Sequence, residues 1–177
     1  GEVVVSAGGG ALSEPLLRAA MAARPLTKAK DATWRLLAGH ALPEDVFADL
    51  CAIAPEGVIV QRARPDFTAL LANCALSISQ GGYNTVMELL AAGVRGVIAP
   101  YAGGKETEQT LRARLLHQRG AFQLINEDDL DAESVAAAAD AALDAPPAAA
   151  ASLDTGGAEE GARMRAELAF AGEQVPA

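Results

Sequence analysis

Short apolar runs alternate with longer amphipathic stretches along most of this chain, and the alternation restricts its fold more than any other feature. The apolar runs predict strands at residues 3–6, 32–38, 58–61, 75–79, 96–99 and 122–125. Helical patterns lie between and after them, at residues 13–24, 43–54, 66–73, 85–92, 106–119 and 132–143. Because no hairpin signal joins two strands, we predict an α/β fold, a doubly wound parallel sheet with helices on both faces.

Composition and charge exclude several classes of function. The chain has 177 residues, of which 51% are hydrophobic, enough material for the core of one domain. Its 14 Lys and Arg residues stand against 23 Asp and Glu residues, and the net charge of -9 opposes binding to nucleic acid. The sequence has neither an apolar run of about 18 residues nor a signal-peptide pattern. We therefore expect no membrane insertion by this chain and a cytoplasmic location.

The two cysteines predict neither a disulfide nor a metal site. Cys51 and Cys74 lie in or beside helical patterns and do not form a CxxC pair. We expect both to be small buried hydrophobic side chains in a reducing compartment.

The domain organisation follows from the ends of the chain. A strand pattern begins almost at once after Gly1, which favours a domain cut from a longer protein. Residues 1–145 hold the alternating pattern, and residues 146–157 form a low-complexity linker. Residues 158–170 then predict a C-terminal helix.

Ligands of doubly wound sheets bind at the carboxyl ends of the strands, so the loops there are the candidate functional segments. After the first strand, Gly8, Gly9 and Gly10 allow close approach of the backbone to an anion. The pattern is neither GxGxxG nor GxxxxGK[ST], which disfavours a dinucleotide site or a P-loop. A plain tight turn is the alternative for this segment.

The loop after the fourth strand belongs to the stretch SISQGGYNTVMELLAAG, residues 77–93. Gly81 and Gly82 permit a sharp turn there. The amides that follow at the helix start, where the macrodipole favours negative charge, are those of Tyr83, Asn84 and Thr85. A diphosphate suits that position.

Glu88 lies one helical turn beyond these amides, on the same face as Asn84 and Thr85. Its carboxylate could accept hydrogen bonds from a sugar diol. The alternative is a capping box, in which Thr85 caps the helix and Glu88 completes the box.

The loop after the fifth strand, PYAGGKETEQ at residues 100–109, crowds polar groups at the start of a helix. They are Lys105, Glu106, Glu108 and Gln109. Such a set suits a polyhydroxylated ligand, and a solvated helix start is the alternative.

Taken together, these loops resemble the donor-binding half of GT-B glycosyltransferases, most closely the C-terminal domain of family 28. The shared pattern runs from residue 76 to 121 within a wider resemblance over residues 2–145. Its matching residues here are Ser79, Gly81, Gly82, Thr85, Glu88, Ala92, Gly93, Pro100, Glu108, Gln109, Arg112 and Ala113. The resemblance implies a Rossmann-like half that binds a nucleotide sugar, usually a UDP-sugar, as part of a hexosyltransferase.

The resemblance also implies roles for single residues. The diphosphate would be held by Gly81, Gly82, Tyr83, Asn84 and Thr85, with Gly9 and Gly10 in the glycine loop. Glu88 would hold the ribose hydroxyls, and Glu108 and Gln109 the hydroxyls of the transferred sugar. Residues 61–64 would wrap the base, with the backbone of Arg64 on uracil.

The resemblance implies that the general base lies in an N-terminal acceptor domain, which we expect to be absent from this chain. We therefore expect no catalytic residue in this chain. We also expect no metal and no cofactor, because helix-end amides can stabilise a leaving UDP. The acidic pair Asp128 and Asp129 precedes a helix, which favours capping over metal binding. His40 and His117 are interpreted as structural histidines.

Other functions fit the same donor half. A UDP-sugar hydrolase or 2-epimerase would add an acid/base residue in the cleft, and a nucleotide-sugar-binding subunit would act with a partner chain. A scaffold without a ligand would leave the three loops unexplained. For the isolated chain we expect weak binding of UDP-sugars and no transfer.

Overall fold

The computed structural model describes residues 1–8, 13–101, 103, 107–148 and 166, and it has the predicted alternation of strands and helices. The strands are β1 (Glu2–Ala7), β2 (Trp34–Ala38), β3 (Val58–Arg62), β4 (Cys74–Ser79), β5 (Gly96–Ile98) and β6 (Gln123–Leu124). The helices are α1 (Glu14–Ala23), α2 (Glu44–Ile53), α3 (Phe67–Asn73), α4 (Tyr83–Ala92), α5 (Glu108–Gln118) and α6 (Ala132–Asp144). The linker and C-terminal helix predicted at residues 146–170 lie almost wholly outside the described residues.

The six strands form one parallel sheet in the order β3-β2-β1-β4-β5-β6. Strand β1 lies between β2 and β4, with Val3 opposite Trp34 on one side and Leu76 on the other. The prediction of a doubly wound parallel sheet is therefore confirmed.

The larger hydrophobic core lies between one face of the sheet and helices α1, α2 and α6. Val3 and Val5 of β1 point into it, because alternate residues of a strand face the same side. Trp34 is fully buried there, and its indole Nε1 donates to the carbonyl oxygen of Ala29 at 3.1 Å. The hydrogen bond satisfies the one polar atom of this large side chain.

A smaller core lies on the opposite face, under helices α3, α4 and α5. Each of these helices contributes a fully or nearly fully buried leucine side chain, and the three leucines are Leu71, Leu89 and Leu116. Ile98 of β5 packs among them. The helices that carry the predicted loop residues are thus fixed to the sheet by apolar packing.

The acidic run before α6 caps that helix through a different residue from the one predicted. Asp131 is the cap, and its carboxylate accepts the Ser134 backbone amide at 2.7 Å in a reciprocal capping box. This bond lowers the pKa of Asp131 below the ordinary value. Asp128 and Asp129 instead lie in a 3₁₀ turn, where Asp129 accepts a bond from the side chain of Asn126.

The prediction that both cysteines are buried is wrong for Cys51. On α2 the buried position is Leu50, and the next residue is rotated by about 100° away from the core. Cys74 is half-buried at the start of β4, and burial raises the pKa of its thiol to about 11. Both thiols are free.

Neither histidine lies in the core. His40 is exposed directly beyond β2, and His117 is exposed near the end of α5 with its Nδ1 3.0 Å from the Phe122 carbonyl oxygen. Within the described ranges, none of the helices has the length and apolar character needed to cross a membrane.

Candidate functional site

The candidate site lies where the strand order reverses. From β1 the chain builds outward through β2 and β3, then returns to the other side of β1 and builds outward through β4, β5 and β6. Strands β1 and β4 are therefore neighbours, and the helices that follow them, α1 and α4, lie on opposite faces of the sheet. Such a switch point opens a crevice for ligands in doubly wound folds.

The turn after β4 contains two adjacent glycines, and the backbone requires a glycine at only one of these positions. Gly81 has a φ of 74°, and a Cβ there would overlap the Cγ2 atom of Ile98. Gly82 has a φ of -56°, and a Cβ on it would meet no atom within 4 Å. Gly81 is therefore required by the fold, whereas Gly82 borders open space in front of α4.

Helix α4 begins two residues earlier than predicted, with Gly82 as its cap. Tyr83, Asn84 and Thr85 are consequently its first three residues, whose amides have no acceptor within the helix. The alternative capping box of Thr85 and Glu88 does not form, because Thr85 lies inside the helix and the cap makes no side-chain bond. The helix start thus presents backbone donors and a positive dipole end at the switch point.

Glu88 lies in the second turn of α4 and is half-buried. Its Oε1 accepts a long hydrogen bond of 3.4 Å from the hydroxyl of Thr68 on α3. This contact places the carboxylate between α3 and α4, close to the helix start. Sequence reasoning missed Thr68, because nothing in the local pattern of α3 indicates a partner on another helix.

A pocket of about 290 Å³ lies at the carboxyl ends of β1, β2 and β3. Its lining is largely apolar and includes Gly8, His40, Arg64 and Phe67. Sequence reasoning missed Phe67, although an aromatic residue in the segment that follows the third predicted strand was a usable signal. The arrangement suits a flat ring with a polar edge.

The Arg64 side chain is engaged within its own loop. Its guanidinium donates to both carboxylate oxygens of Asp66, at 2.7 and 2.5 Å, and this pairing lowers the pKa of Asp66. The predicted contact of Arg64 with a base runs through its backbone, so it is compatible with this arrangement. Both side chains are largely exposed, so the ion pair itself stabilises the loop little.

The start of α5 lies against the turn after β4. Thr107 caps the helix in a reciprocal box with Thr110. Gln109 donates its side-chain amide to the backbone carbonyl of Gln80, and Glu108 forms an ion pair with Arg112. The structure therefore brings the two predicted sugar-binding residues next to the predicted diphosphate loop.

Four of the candidate residues named in the predicted loops are outside the described part of the chain. They are Gly9, Gly10, Lys105 and Glu106. In the part that is described, no three His, Cys, Asp or Glu side chains come together as a metal site would require.

Comparison with known proteins identifies a family and shared folds. A sequence profile of the family described as "Glycosyltransferase family 28 C-terminal domain" matches residues 3–165. One similar protein is the UDP-N-acetylglucosamine--N-acetylmuramyl-(pentapeptide) pyrophosphoryl-undecaprenol N-acetylglucosamine transferase of Hahella chejuensis. It is 34% identical over 71 residues, which are 40% of this chain and 20% of that protein. The match thus spans about a fifth of the relative's length.

Two solved structures share the fold. The spinosyn forosaminyltransferase SpnP superimposes with a TM-score of 0.62 at 24% identity, over 96% of this chain and 40% of that one. MurG of Acinetobacter baumannii gives a TM-score of 0.59 at 21% identity, over 77% of this chain and 39% of that one. The profile match covers most of the sequence, and the chain therefore belongs to the glycosyltransferase family 28 C-terminal domain family.

Proposed function

We propose that this chain is the donor-binding half of a glycosyltransferase that transfers a hexosyl group from a UDP-sugar to an acceptor hydroxyl. The observation that carries the proposal is the start of α4 at the switch point, with Glu88 one turn further along. An anionic group and a polyhydroxylated group can be bound there side by side.

The diphosphate binds at the start of α4. The amides of Tyr83, Asn84 and Thr85 donate to phosphate oxygens, and the helix dipole adds a favourable partial charge. The open space beside Gly82 allows the phosphates to approach the backbone. Backbone donors explain how a chain with a net charge of -9 binds an anion.

The nucleoside lies along α3 and α4. Glu88 accepts hydrogen bonds from the two ribose hydroxyls, and the pocket beside Arg64 and Phe67 takes the base. The Hahella chejuensis transferase uses UDP-N-acetylglucosamine according to its name, which supports a UDP-sugar as the donor here.

The transferred sugar lies beside Glu108 and Gln109 at the start of α5. When the bond between the sugar and the diphosphate breaks, negative charge develops on the departing UDP. The amides at the start of α4 stabilise that charge without rearranging. The general base, which removes the proton from the acceptor hydroxyl, lies in an N-terminal acceptor domain or on a partner subunit.

Residues 1–145 form the donor-binding unit in this proposal, and the amides of Gly9 and Gly10 take part in binding the diphosphate. The two free thiols support a reducing, cytoplasmic location.

Calorimetric titration tests the donor assignment. We expect UDP, UDP-N-acetylglucosamine and UDP-glucose to bind, and GDP-mannose and NAD to bind far more weakly. Glu88→Gln keeps the shape of the side chain but weakens its acceptor strength, so the affinity for UDP falls about tenfold. Glu133→Gln, on an exposed position of α6, is the matched control and leaves the affinity unchanged. Equal affinity for all five ligands, or no effect of Glu88→Gln, would contradict the assignment.

A further inference from the structure

Arg112 of α5 is a charged residue whose side chain is buried beside the proposed donor site. Its relative exposure is 3%, although Arg114, the other arginine of α5, is exposed. Its Nε lacks a hydrogen-bond partner within the described residues. A buried guanidinium that keeps an unsatisfied donor is costly, and a purely structural role would be met more cheaply by an apolar side chain.

The neighbours of Arg112 are residues of the proposed donor site. Its Nη2 forms an ion pair with Glu108 one turn earlier, and its guanidinium carbon lies 5.2 Å from the centre of the Tyr83 ring. Glu108 keeps 35% of its side chain exposed, so part of its carboxylate remains open to a ligand. The Tyr83 ring covers the guanidinium from the side of α4.

The pair also solves an electrostatic problem. A free Glu108 carboxylate near a diphosphate would repel it, and a freely rotating side chain would lose entropy when a sugar binds. Pairing with a buried arginine neutralises the carboxylate and restricts its rotamers. Glu108 can then accept sugar hydroxyls at little further cost.

We propose that Arg112 is a positioning residue of the donor site, which holds Glu108 in the orientation that contacts the transferred sugar. The inference rests on the proposed function, because Glu108 matters only if a nucleotide sugar binds there. Arg112 therefore contributes to the part of the affinity that comes from the sugar. The amides of α4 are fixed by the helix backbone, so the affinity for UDP alone depends on Arg112 much less.

A comparison of UDP with a UDP-sugar separates this role from a structural one. The ratio of the two affinities is measured by calorimetry for the wild-type chain, for Arg112→Gln, Arg112→Lys and Glu108→Gln, and for the double variant Glu108→Gln with Arg112→Gln. The sugar nucleotide is whichever of UDP-N-acetylglucosamine and UDP-glucose binds the wild type more tightly. Arg114→Gln, two residues along the same helix at an exposed position, is the matched control.

We expect Arg112→Gln to lower the sugar nucleotide's affinity about tenfold with little change for UDP, since it removes a charge-assisted hydrogen bond. Arg112→Lys restores part of the loss, because the charge remains without the planar fork. In a Glu108→Gln background, Arg112→Gln has little further effect on the ratio. Thermal unfolding of each variant verifies that it is folded. If Arg112→Gln does not fold, Arg112→Lys tests the positioning role.

Three results would overturn the inference. Equal losses of affinity for UDP and the sugar nucleotide would show a general structural role, and an unchanged ratio in both Arg112 variants would show no role in sugar binding. In either case UDP still binds the wild-type chain and the proposed function stands. If the wild-type chain binds no UDP at all, the proposed function fails and the inference fails with it.

Discussion

At the scale of single residues, the two adjacent glycines of the turn after β4 serve different ends. Gly81 is required for the backbone conformation of the turn, since its φ of 74° and its contact with Ile98 both disfavour any side chain. Gly82 has an ordinary φ and open surroundings, so the fold does not require a glycine there, and we propose that the open space serves a ligand. The motif alone does not separate these roles, because both positions read as glycine.

Alanine substitution tests this division. We expect Gly81→Ala to lower the free energy of unfolding by about 1–3 kcal/mol, from backbone strain and overlap with Ile98. Gly82→Ala leaves stability within about 0.5 kcal/mol of the wild type, as is usual for unstrained surface positions. Urea unfolding of both variants gives the two values, and similar losses in both would contradict the assignment.

Buried polar residues are where sequence reasoning at this scale fell short. Arg112 lies in an amphipathic pattern, in which a charged residue is expected to be solvated. In the structure the Tyr83 ring of α4 lies over the guanidinium, and the Arg112 side chain is buried. The bond from Gln109 to the Gln80 carbonyl likewise joins residues from two elements that the sequence pattern does not bring together.

At the scale of elements, strands and helices were predictable to within a few residues because their signals are local. The start of α4 was the informative error. The pattern placed the first helical residue at Thr85, with a capping box of Thr85 and Glu88 as an alternative, yet the helix follows the turn at Gly81 and begins at Tyr83. Backbone geometry outweighed side-chain preference, and it placed three amides at the helix start.

The cap of α6 allows an element to be tested through pH. Hydrogen bonds from Ser134 hold the pKa of Asp131 below its ordinary value of 3.8. A lowered carboxyl pKa stabilises the fold above the unfolded-state pKa, and this contribution is lost as the pH falls through the folded-state pKa. Asp131→Ala should therefore destabilise the chain at pH 7 and have a shrinking effect below about pH 4.

Chemical unfolding at several pH values measures this effect. Asp128→Ala is the matched control, since Asp128 lies in the preceding 3₁₀ turn and does not cap the helix. An equal loss in both variants, or an Asp131→Ala effect that is constant from pH 7 to pH 3, would contradict the capping assignment.

Apolar packing under α4 should anchor this helix to the sheet. Leu89 is fully buried in the smaller core, and Leu89→Ala is expected to cost about 2–5 kcal/mol of unfolding free energy. Leu111 is 42% exposed on α5, and Leu111→Ala should cost less than about 1 kcal/mol. Equal effects in thermal or urea unfolding would mean that α4 is not anchored by this core.

At the scale of the whole molecule, the sheet order creates the site. The sequence predicted a parallel sheet, since its strands alternate with helices, but the alternation is compatible with several strand orders. The observed order puts the reversal between β1 and β4, so that Gly8 after β1 and the turn after β4 share one edge. Long-range strand pairing sets this order, and no local pattern encodes it.

The central claim is that the start of α4 binds the diphosphate of a UDP-sugar. The most direct measurement is a titration of the 177-residue chain with UDP, followed through the amide resonances of Tyr83, Asn84 and Thr85. We predict that these three amides shift most, that uridine lacking phosphates shifts them little, and that NAD does not reproduce the effect. Saturating UDP binding that leaves all three amides unmoved would contradict the claim.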